Sequence, residues 1–187
     1  MSRDVNRCQQ CRLYKARCLC ADLVRVPCAV EVVVVRHILE THRNSNTGGL
    51  ATRCLKGARL VEYANPESPI DWQDLVAGDT WLLYPKPGAK IPSELPERLI
   101  VVDGTWPQAR RMVQRNKALY ELPCLALPEP SKALPRMRKG ARPEQMSTAE
   151  SIATALHVLQ QHAAAEQVEW ALRKMIRQIS LHPPKEC

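Results

Sequence analysis

Residues 99–108 read Leu-Ile-Val-Val-Asp-Gly-Thr-Trp-Pro-Gln, and this stretch decides the class of fold. Its first four residues are apolar and mostly β-branched, as expected of a strand that is covered on both faces. Thr105, followed three residues later by Gln108, forms a pattern typical of a capped helix N-terminus. The stretch therefore predicts a buried strand over 99–103 that ends at Asp103 and leads directly into a helix.

The same alternation of strands and helices extends in both directions from this stretch. We expect further strands at 28–35, 59–63, 80–84 and 122–127, and helices at 47–56, from 148 onward and at 168–179. Such alternation predicts an α/β fold with a mainly parallel sheet. Because the chain contains no Phe, its Leu, Val and Ala residues and its four Trp residues are expected to fill the core.

Composition and charge narrow the class of function. The chain has 187 residues, with 27 Lys and Arg against 19 Asp and Glu, a formal charge of +8 that favours a polyanionic partner. No apolar run approaches the ~18 residues of a membrane span, and the first residues contain no signal-peptide core. Glycine-rich dinucleotide and P-loop motifs are absent from the sequence. We expect a cytoplasmic protein without membrane association, and nothing indicates an obligate protein partner.

The cysteines indicate a metal site. Four of the eight cluster near the start of the sequence: Cys8, Cys11, Cys18 and Cys20. Free thiols prefer burial, whereas the segment around these four is polar, and four thiolates suit tetrahedral zinc in a structural role. We expect residues 1–27 to form a zinc knuckle that precedes a main domain of residues 28–187. Cys28 is an alternative ligand, and Cys54 and Cys124 are expected in the core.

The end of the central strand is a candidate site. In open parallel sheets, ligands bind beyond the carboxyl ends of the strands. Asp103 stands at such an end, and Gly104 allows a tight turn or the close approach of a ligand. From spacing alone, Asp103 is either a functional carboxylate or a turn residue, and Trp106 is either part of a site or a packing residue.

Two further segments carry side chains suited to binding. Residues 43–48, Arg-Asn-Ser-Asn-Thr-Gly, either hold a ligand or cap the next helix through Asn46 or Thr47. The proline-containing loop 128–143 carries five basic residues: Lys132, Arg136, Arg138, Lys139 and Arg142. Because this loop is close to the expected ligand edge of the sheet, we expect it to bind phosphate or carboxylate.

Four motifs occur together in the order found in one protein family. They are the four cysteines, Ser45-Asn-Thr-Gly48, Asp103-Gly-Thr-Trp106-Pro-Gln-Ala-Arg-Arg, and Ser147-Thr-Ala-Glu150. From about Cys8 to Leu159 the chain resembles the DTW-domain proteins, the tRNA-uridine aminocarboxypropyltransferases. The resemblance implies a SPOUT-like α/β fold with a C-terminal trefoil knot. It also implies transfer of the 3-amino-3-carboxypropyl group of S-adenosylmethionine to N3 of a tRNA uridine, typically in the variable loop, with release of methylthioadenosine.

The resemblance also implies roles for individual residues. Asp103 is expected to act as general base or to orient the uracil. The donor pocket is expected to be formed by Leu83, Tyr84, Pro85, Gly104, Thr105, Trp106, Leu127, Arg136, Ser147 and Thr148. The residues expected to contact tRNA are Arg43, Ser45, Asn46, Thr47, Arg110, Arg138 and Lys139. Two alternatives remain: an RNA methyltransferase of the same knotted class that uses the same donor, and a non-catalytic zinc-knuckle RNA-binding protein.

Overall fold

Four parallel strands form one sheet in the part of the chain that the structure, a computed structural model, describes: residues 6–43, 47–128 and 146–180. The strands are β1 (Glu31–His37), β2 (Arg59–Tyr63), β3 (Thr80–Leu83) and β4 (Arg98–Asp103). They lie in the order β2-β1-β4-β3, and every neighbouring pair is parallel. The predicted α/β fold with a mainly parallel sheet is therefore confirmed for the described residues.

Helices cover both faces of this sheet. They are α1 (Gly48–Thr52), α2 (Trp72–Leu75), α3 (Trp106–Arg115), α4 (Lys117–Tyr120), α5 (Thr148–Val158) and α6 (His162–Ser180), with 3-10 turns at Lys15–Arg17, Cys20–Asp22 and Ile38–Glu40. Helices α1, α5 and α6 pack on one face, and α2, α3 and α4 pack on the other. Within the described ranges, no helix combines the length and the apolar composition that a membrane span requires.

Two predicted element boundaries are wrong because backbone pairing with residues distant in the sequence determines where these elements end. Helix α1 ends at Thr52 instead of continuing to 56, because the chain after it pairs with Val26: the Val26 N–H donates to Cys54 O, and the Lys56 N–H donates to Val26 O, both at 2.9 Å. The strand predicted at 122–127 is reduced to two isolated parallel bridges, Cys124 with Leu82 of β3 and Leu125 with Lys90.

The core is mainly aliphatic, and the expected contribution of tryptophan is confirmed for the buried Trp81 and the partly buried Trp72 but is wrong for the other two tryptophans. The centre of β1, from Val32 to Val35, has no solvent exposure, and small alanine side chains on α5 and α6 are buried between the two helices. Trp81 is buried, whereas Trp106 and Trp170 are 47% and 43% exposed. Two large aromatic side chains therefore face outward and are available for roles other than packing.

The N-terminal cysteine segment packs on the same core as the sheet. Leu13 and Leu19 are buried in the cluster that also contains α5 and α6. Asp22 forms an ion pair with Lys174 of α6 at 2.8 Å, and Arg17 donates a hydrogen bond to the carbonyl of Gln178 at 3.4 Å. These contacts hold the segment against helix α6.

Candidate functional site

A cavity of about 620 Å³ opens at the carboxyl ends of β3 and β4, within the size range of small-molecule sites. Its walls come from four places: the turn after β3, the junction of β4 with α3, the segment around residues 125–128, and the first turn of α5. Seven of the residues expected in the donor pocket line it: Leu83, Tyr84, Pro85, Gly104, Trp106, Leu127 and Thr148. The parallel sheet thus gathers these separate motifs at one edge.

Two helices begin at this cavity, and both have the predicted capping boxes. The Gln108 N–H donates to Thr105 Oγ1 at 3.4 Å, while Gln108 Oε1 accepts from the Thr105 N–H at 2.6 Å. Ser147 and Glu150 form the same reciprocal pair at the start of α5, at 3.3 and 2.6 Å. The side chains of Thr105 and Ser147 therefore cap helices beside the cavity and do not line it. Helix N-termini at this position favour a bound anion.

Asp103 lies beneath the cavity and is only 4% exposed. Its Oδ1 accepts a hydrogen bond from Thr148 Oγ1 at 2.6 Å, and Thr148 lines the cavity. On its other side the carboxylate lies close to Gly48: a Cβ atom there would stand 2.7 Å from Asp103 Oδ2. The carboxylate is therefore linked to the cavity by its hydrogen bond with Thr148. The absence of a side chain at Gly48 leaves the space that the carboxylate occupies.

Thr47, which was expected either to contact a ligand or to cap α1, has another role. It is buried, and its Oγ1 accepts a hydrogen bond from the Ala149 N–H at 3.1 Å. It makes no side-chain capping bond to α1. Its hydroxyl thus fastens the first turn of α5 to the start of α1, and this placement argues against direct contact with RNA.

Of the other residues expected to contact tRNA, only Arg43 and Arg110 lie within the described residues. Arg43 is half-exposed and its Nε lies 3.2 Å from an oxygen of the buried Glu40. Arg110 is exposed on α3, in a second concavity described below. The remaining residues of that group, together with Arg136 of the donor group, lie outside the described residues: Ser45, Asn46, Arg136, Arg138 and Lys139.

The second concavity, of about 560 Å³, adjoins the first on the outer side of α3. It is lined by Tyr84, Trp106, Pro107, Arg110, Arg111 and Gln114. Tyr84 and Trp106 line both spaces, so the two concavities share a wall. The first is bounded mainly by apolar groups, and the second by aromatic rings and two guanidinium groups.

An ion pair lies on the strand next to Asp103. Arg36, the register partner of Asp103, donates to Glu62 Oε1 at 2.7 Å, and Thr41 Oγ1 donates to the same oxygen at 2.6 Å. The hydrogen bond from Thr41, together with the bond and charge of Arg36, holds the pKa of Glu62 below its ordinary value despite partial burial. This network fixes the carboxyl ends of β1 and β2 beside the candidate site.

The four N-terminal cysteines have the geometry of a tetrahedral metal site. All four Sγ atoms lie within 4.8 Å of one another. The distance from Cys8 Sγ to Cys20 Sγ is 3.5 Å, and that from Cys11 Sγ to Cys18 Sγ is 3.8 Å. A tetrahedron with zinc–sulfur bonds of about 2.3 Å has edges of about 3.8 Å, so the donor set fits zinc.

The other described cysteines behave as predicted from their surroundings. Cys54 and Cys124 are buried, and burial raises the pKa of Cys54 to about 11. Burial also raises the pKa of Cys28, which is not part of the four-sulfur group. The tighter set of four therefore offers four ligand atoms for a metal without Cys28.

Several lining residues were not anticipated from the sequence. Lys86 follows the expected Tyr84-Pro85 turn directly, and Ser151 lies one helical turn after Ser147. Met146 precedes the capping box of α5. Extending each motif by one residue or one helical turn would have found them, because neighbours in a turn or on one helix face line the same space.

Comparison with known proteins bears on this arrangement. The family model described as the DTW domain matches residues 5–180. A curated protein of Drosophila melanogaster, tRNA-uridine aminocarboxypropyltransferase 2, is 29% identical over 130 residues, which cover 63% of this chain and 52% of that protein. The chain thus spans about half the length of this relative. No solved structure matches the chain.

Proposed function

Because the chain belongs to the DTW-domain family, we propose that it transfers the 3-amino-3-carboxypropyl group of S-adenosylmethionine to N3 of a tRNA uridine. Methylthioadenosine is the second product. The observation that carries the proposal is the position of the Asp103-Gly-Thr-Trp106 motif, which stands at the carboxyl edge of the sheet with two of its residues in the cavity wall. The alternative of a non-catalytic RNA-binding protein leaves this cavity without a purpose.

The larger cavity suits the donor. Its volume of about 620 Å³ is adequate for a nucleoside with an amino acid chain, and apolar residues such as Leu83 and Leu127 suit the adenine ring. The N-termini of α3 and α5 favour the donor's carboxylate. We propose that Arg136 pairs with that carboxylate through a bidentate contact.

Choice of the transferred group is a problem of position. The sulfonium of the donor activates each of its three attached carbons, so the enzyme selects one by aligning it with the acceptor. Contacts that fix the carboxylate tail of the donor, near the first turns of α3 and α5, hold the amino acid chain in place. A donor held by this tail presents the aminocarboxypropyl carbon to the acceptor instead of the methyl group.

Asp103 is proposed to remove the proton from uracil N3, which is a poor nucleophile while protonated. The carboxylate is buried, so we propose that it acts through the cavity-facing hydroxyl of Thr148. As N3 attacks, its proton passes to Thr148 Oγ1 and the hydroxyl proton of Thr148 passes to Asp103 Oδ1. The carbon–sulfur bond of the donor breaks, and its electron pair remains on the sulfur of methylthioadenosine.

The family and the positive charge of the chain support the finer features of the proposal. We propose that Arg138 and Lys139, with the basic loop around them, contact tRNA phosphates, and that the target uridine lies in the variable loop. We further propose the SPOUT-like arrangement with a C-terminal trefoil knot. A cytoplasmic location would place the protein with its tRNA. Zinc held by the four cysteines would stabilise the N-terminal segment and leave no coordination position open for catalysis.

Position-specific isotope labels test the proposal against the methyltransferase alternative. The chain is incubated with unmodified tRNA transcripts and donor labelled either in the carboxyl carbon or in the methyl group. Transfer of only the carboxyl label to tRNA supports the proposal. Transfer of only the methyl label identifies a methyltransferase, and transfer of neither label, with tRNA still bound, favours an RNA-binding protein.

A further inference from the structure

The second concavity lies outside the proposed donor cavity and shares a wall with it, formed by Tyr84 and Trp106. It lies on the outer face of α3, where Trp106, Arg110 and Gln114 follow one another at intervals of four residues. Residues at this spacing project from one side of a helix. The buried side chains of this helix, Met112 and Val113, belong to the cluster that packs on this face of the sheet. The Trp106 stripe is therefore the outward face of the helix.

This face has the side chains that are typical of a surface that binds nucleic acid. Trp106 is 47% exposed, although burial of a ring that large would be favourable if it served only to fill the core. Arg110 and Arg111 are exposed, and among residues 6–43, 47–128 and 146–180 no carboxylate forms an ion pair with either. Helix α3 itself contains no acidic residue. An aromatic ring beside two exposed guanidinium groups suits a base and its phosphates.

We propose that this concavity binds the acceptor nucleotide, with the target uracil stacked on the indole of Trp106 and the flanking phosphates held by Arg110 and Arg111. The inference rests on the proposed function, because it names the place where the tRNA substrate of that reaction lies. It changes the expected role of Trp106, which the sequence assigned to the donor pocket. The shared wall explains the arrangement: a base stacked on Trp106 lies next to the cavity in which the donor is held.

The proposal excludes a purely structural role for the exposed indole. Trp170 on α6 is a matched comparison, since it is 43% exposed and has Lys174 4.9 Å from its ring centroid. It does not line either concavity. If exposure and a nearby cation were sufficient for RNA binding, the two tryptophans would contribute equally. The proposal requires that Trp106 contributes and Trp170 does not.

The test measures binding of unmodified tRNA transcripts to the full chain in the absence of donor. Replacement of a base-stacking ring weakens binding by about 5- to 150-fold, so Trp106→Ala should lose this amount and Trp106→Phe should recover most of it. Trp170→Ala should bind as the parent does. Thermal unfolding of each variant shows whether it is folded, and calorimetry with S-adenosylmethionine measures donor affinity separately.

The salt dependence of binding tests the arginines. If each contacts one phosphate of an unpaired strand, Arg110→Ala with Arg111→Ala should reduce the slope of log affinity against log salt by about 1.4. Arg177→Ala on α6, also exposed, should leave the slope unchanged. If this face of α3 does not contact RNA, the salt slopes of the α3 arginine variant and of Arg177→Ala will not differ.

The outcomes separate this inference from the proposed function. If the parent chain neither binds nor modifies tRNA, the proposed function fails and the inference fails with it. If the parent modifies tRNA, but Trp106→Ala binds tRNA normally and loses only donor affinity, Trp106 belongs to the donor site and only the inference is overturned. An unchanged salt slope in the arginine variant overturns the phosphate contacts.

Discussion

Gly48 should be intolerant of any side chain, because the Asp103 carboxylate occupies the space where one would go. A Cβ atom at Gly48 would lie 2.7 Å from Asp103 Oδ2 and 2.9 Å from Val34 Cγ1, whereas ordinary contact begins at 3.4 Å. The neighbours would have to retreat by about 0.5–0.7 Å. Val34 is fully buried at the centre of the sheet, so we expect most of the movement at Asp103.

The expected cost combines two effects of opposite sign. Overpacking of this kind costs roughly 1–3 kcal/mol, whereas Gly→Ala in a helix recovers up to about 1 kcal/mol. Gly48→Ala should therefore lower the free energy of unfolding by about 1–2 kcal/mol, measured by urea denaturation. Displacement of Asp103 from Thr148 should lower turnover on tRNA far more than it lowers donor affinity. These two assays distinguish loss of fold from loss of site geometry.

Two controls make this prediction specific. Gly57 has a φ of +78° and no atom within 4 Å of its Cβ position, so Gly57→Ala should cost about 1–2 kcal/mol through backbone strain and leave turnover unchanged. In a double-mutant cycle, Asp103→Ala should remove part of the cost of Gly48→Ala, because the clash is with the carboxylate. A Gly48→Ala chain that is as stable and as active as the parent would refute the packing described here.

Three further predictions concern other parts of the molecule. Elemental analysis should find about one zinc per chain, lost in Cys11→Ser and retained in Cys124→Ala; a stable metal-free parent would contradict this. Asp103→Asn should lower turnover by about 10²–10⁴-fold, with partial recovery as pH rises and little change in donor affinity by calorimetry; loss of donor binding would make Asp103 a donor ligand. Because the pKa of Glu62 is lowered on folding, its contribution to stability is present above its unfolded pKa and lost as pH falls through the folded pKa. When the pH falls from 7 to 3, the free energy of unfolding measured with urea should therefore decrease less in Glu62→Gln than in the parent. An equal decrease in both would show that the Glu62 ion pair does not contribute to stability.

Much of the fold is predictable because the information is local. The apolar runs around Val33 and Ile100 indicate strands without knowledge of their partners, and the capping boxes at Thr105 and Ser147 locate two helix starts. The end of α1 is not predictable in this way, since it is determined by pairing with Val26, about 30 residues earlier. Local patterns describe what a segment prefers, and distant backbone hydrogen bonds decide where it stops.

The sequence predicts which motifs form the site but does not predict how their side chains are arranged in space. Leu83, Trp106 and Thr148 meet in one cavity because parallel strands end at the same edge. Burial of Asp103 behind Thr148, and the use of the Thr47 hydroxyl to hold α5, depend on packing between helices that are far apart in sequence. The exposure of a tryptophan cannot be predicted from the sequence either, because the same residue type is also found buried in protein cores.

Mass spectrometry of nucleosides tests the central claim most directly. The full chain is incubated with unmodified tRNA transcripts and S-adenosylmethionine, and the tRNA is then digested to nucleosides. We predict a uridine that is heavier by one 3-amino-3-carboxypropyl group at N3, with methylthioadenosine in an equal amount. A uridine heavier by a methyl group, accompanied by S-adenosylhomocysteine, or no modified uridine at all, would contradict the account.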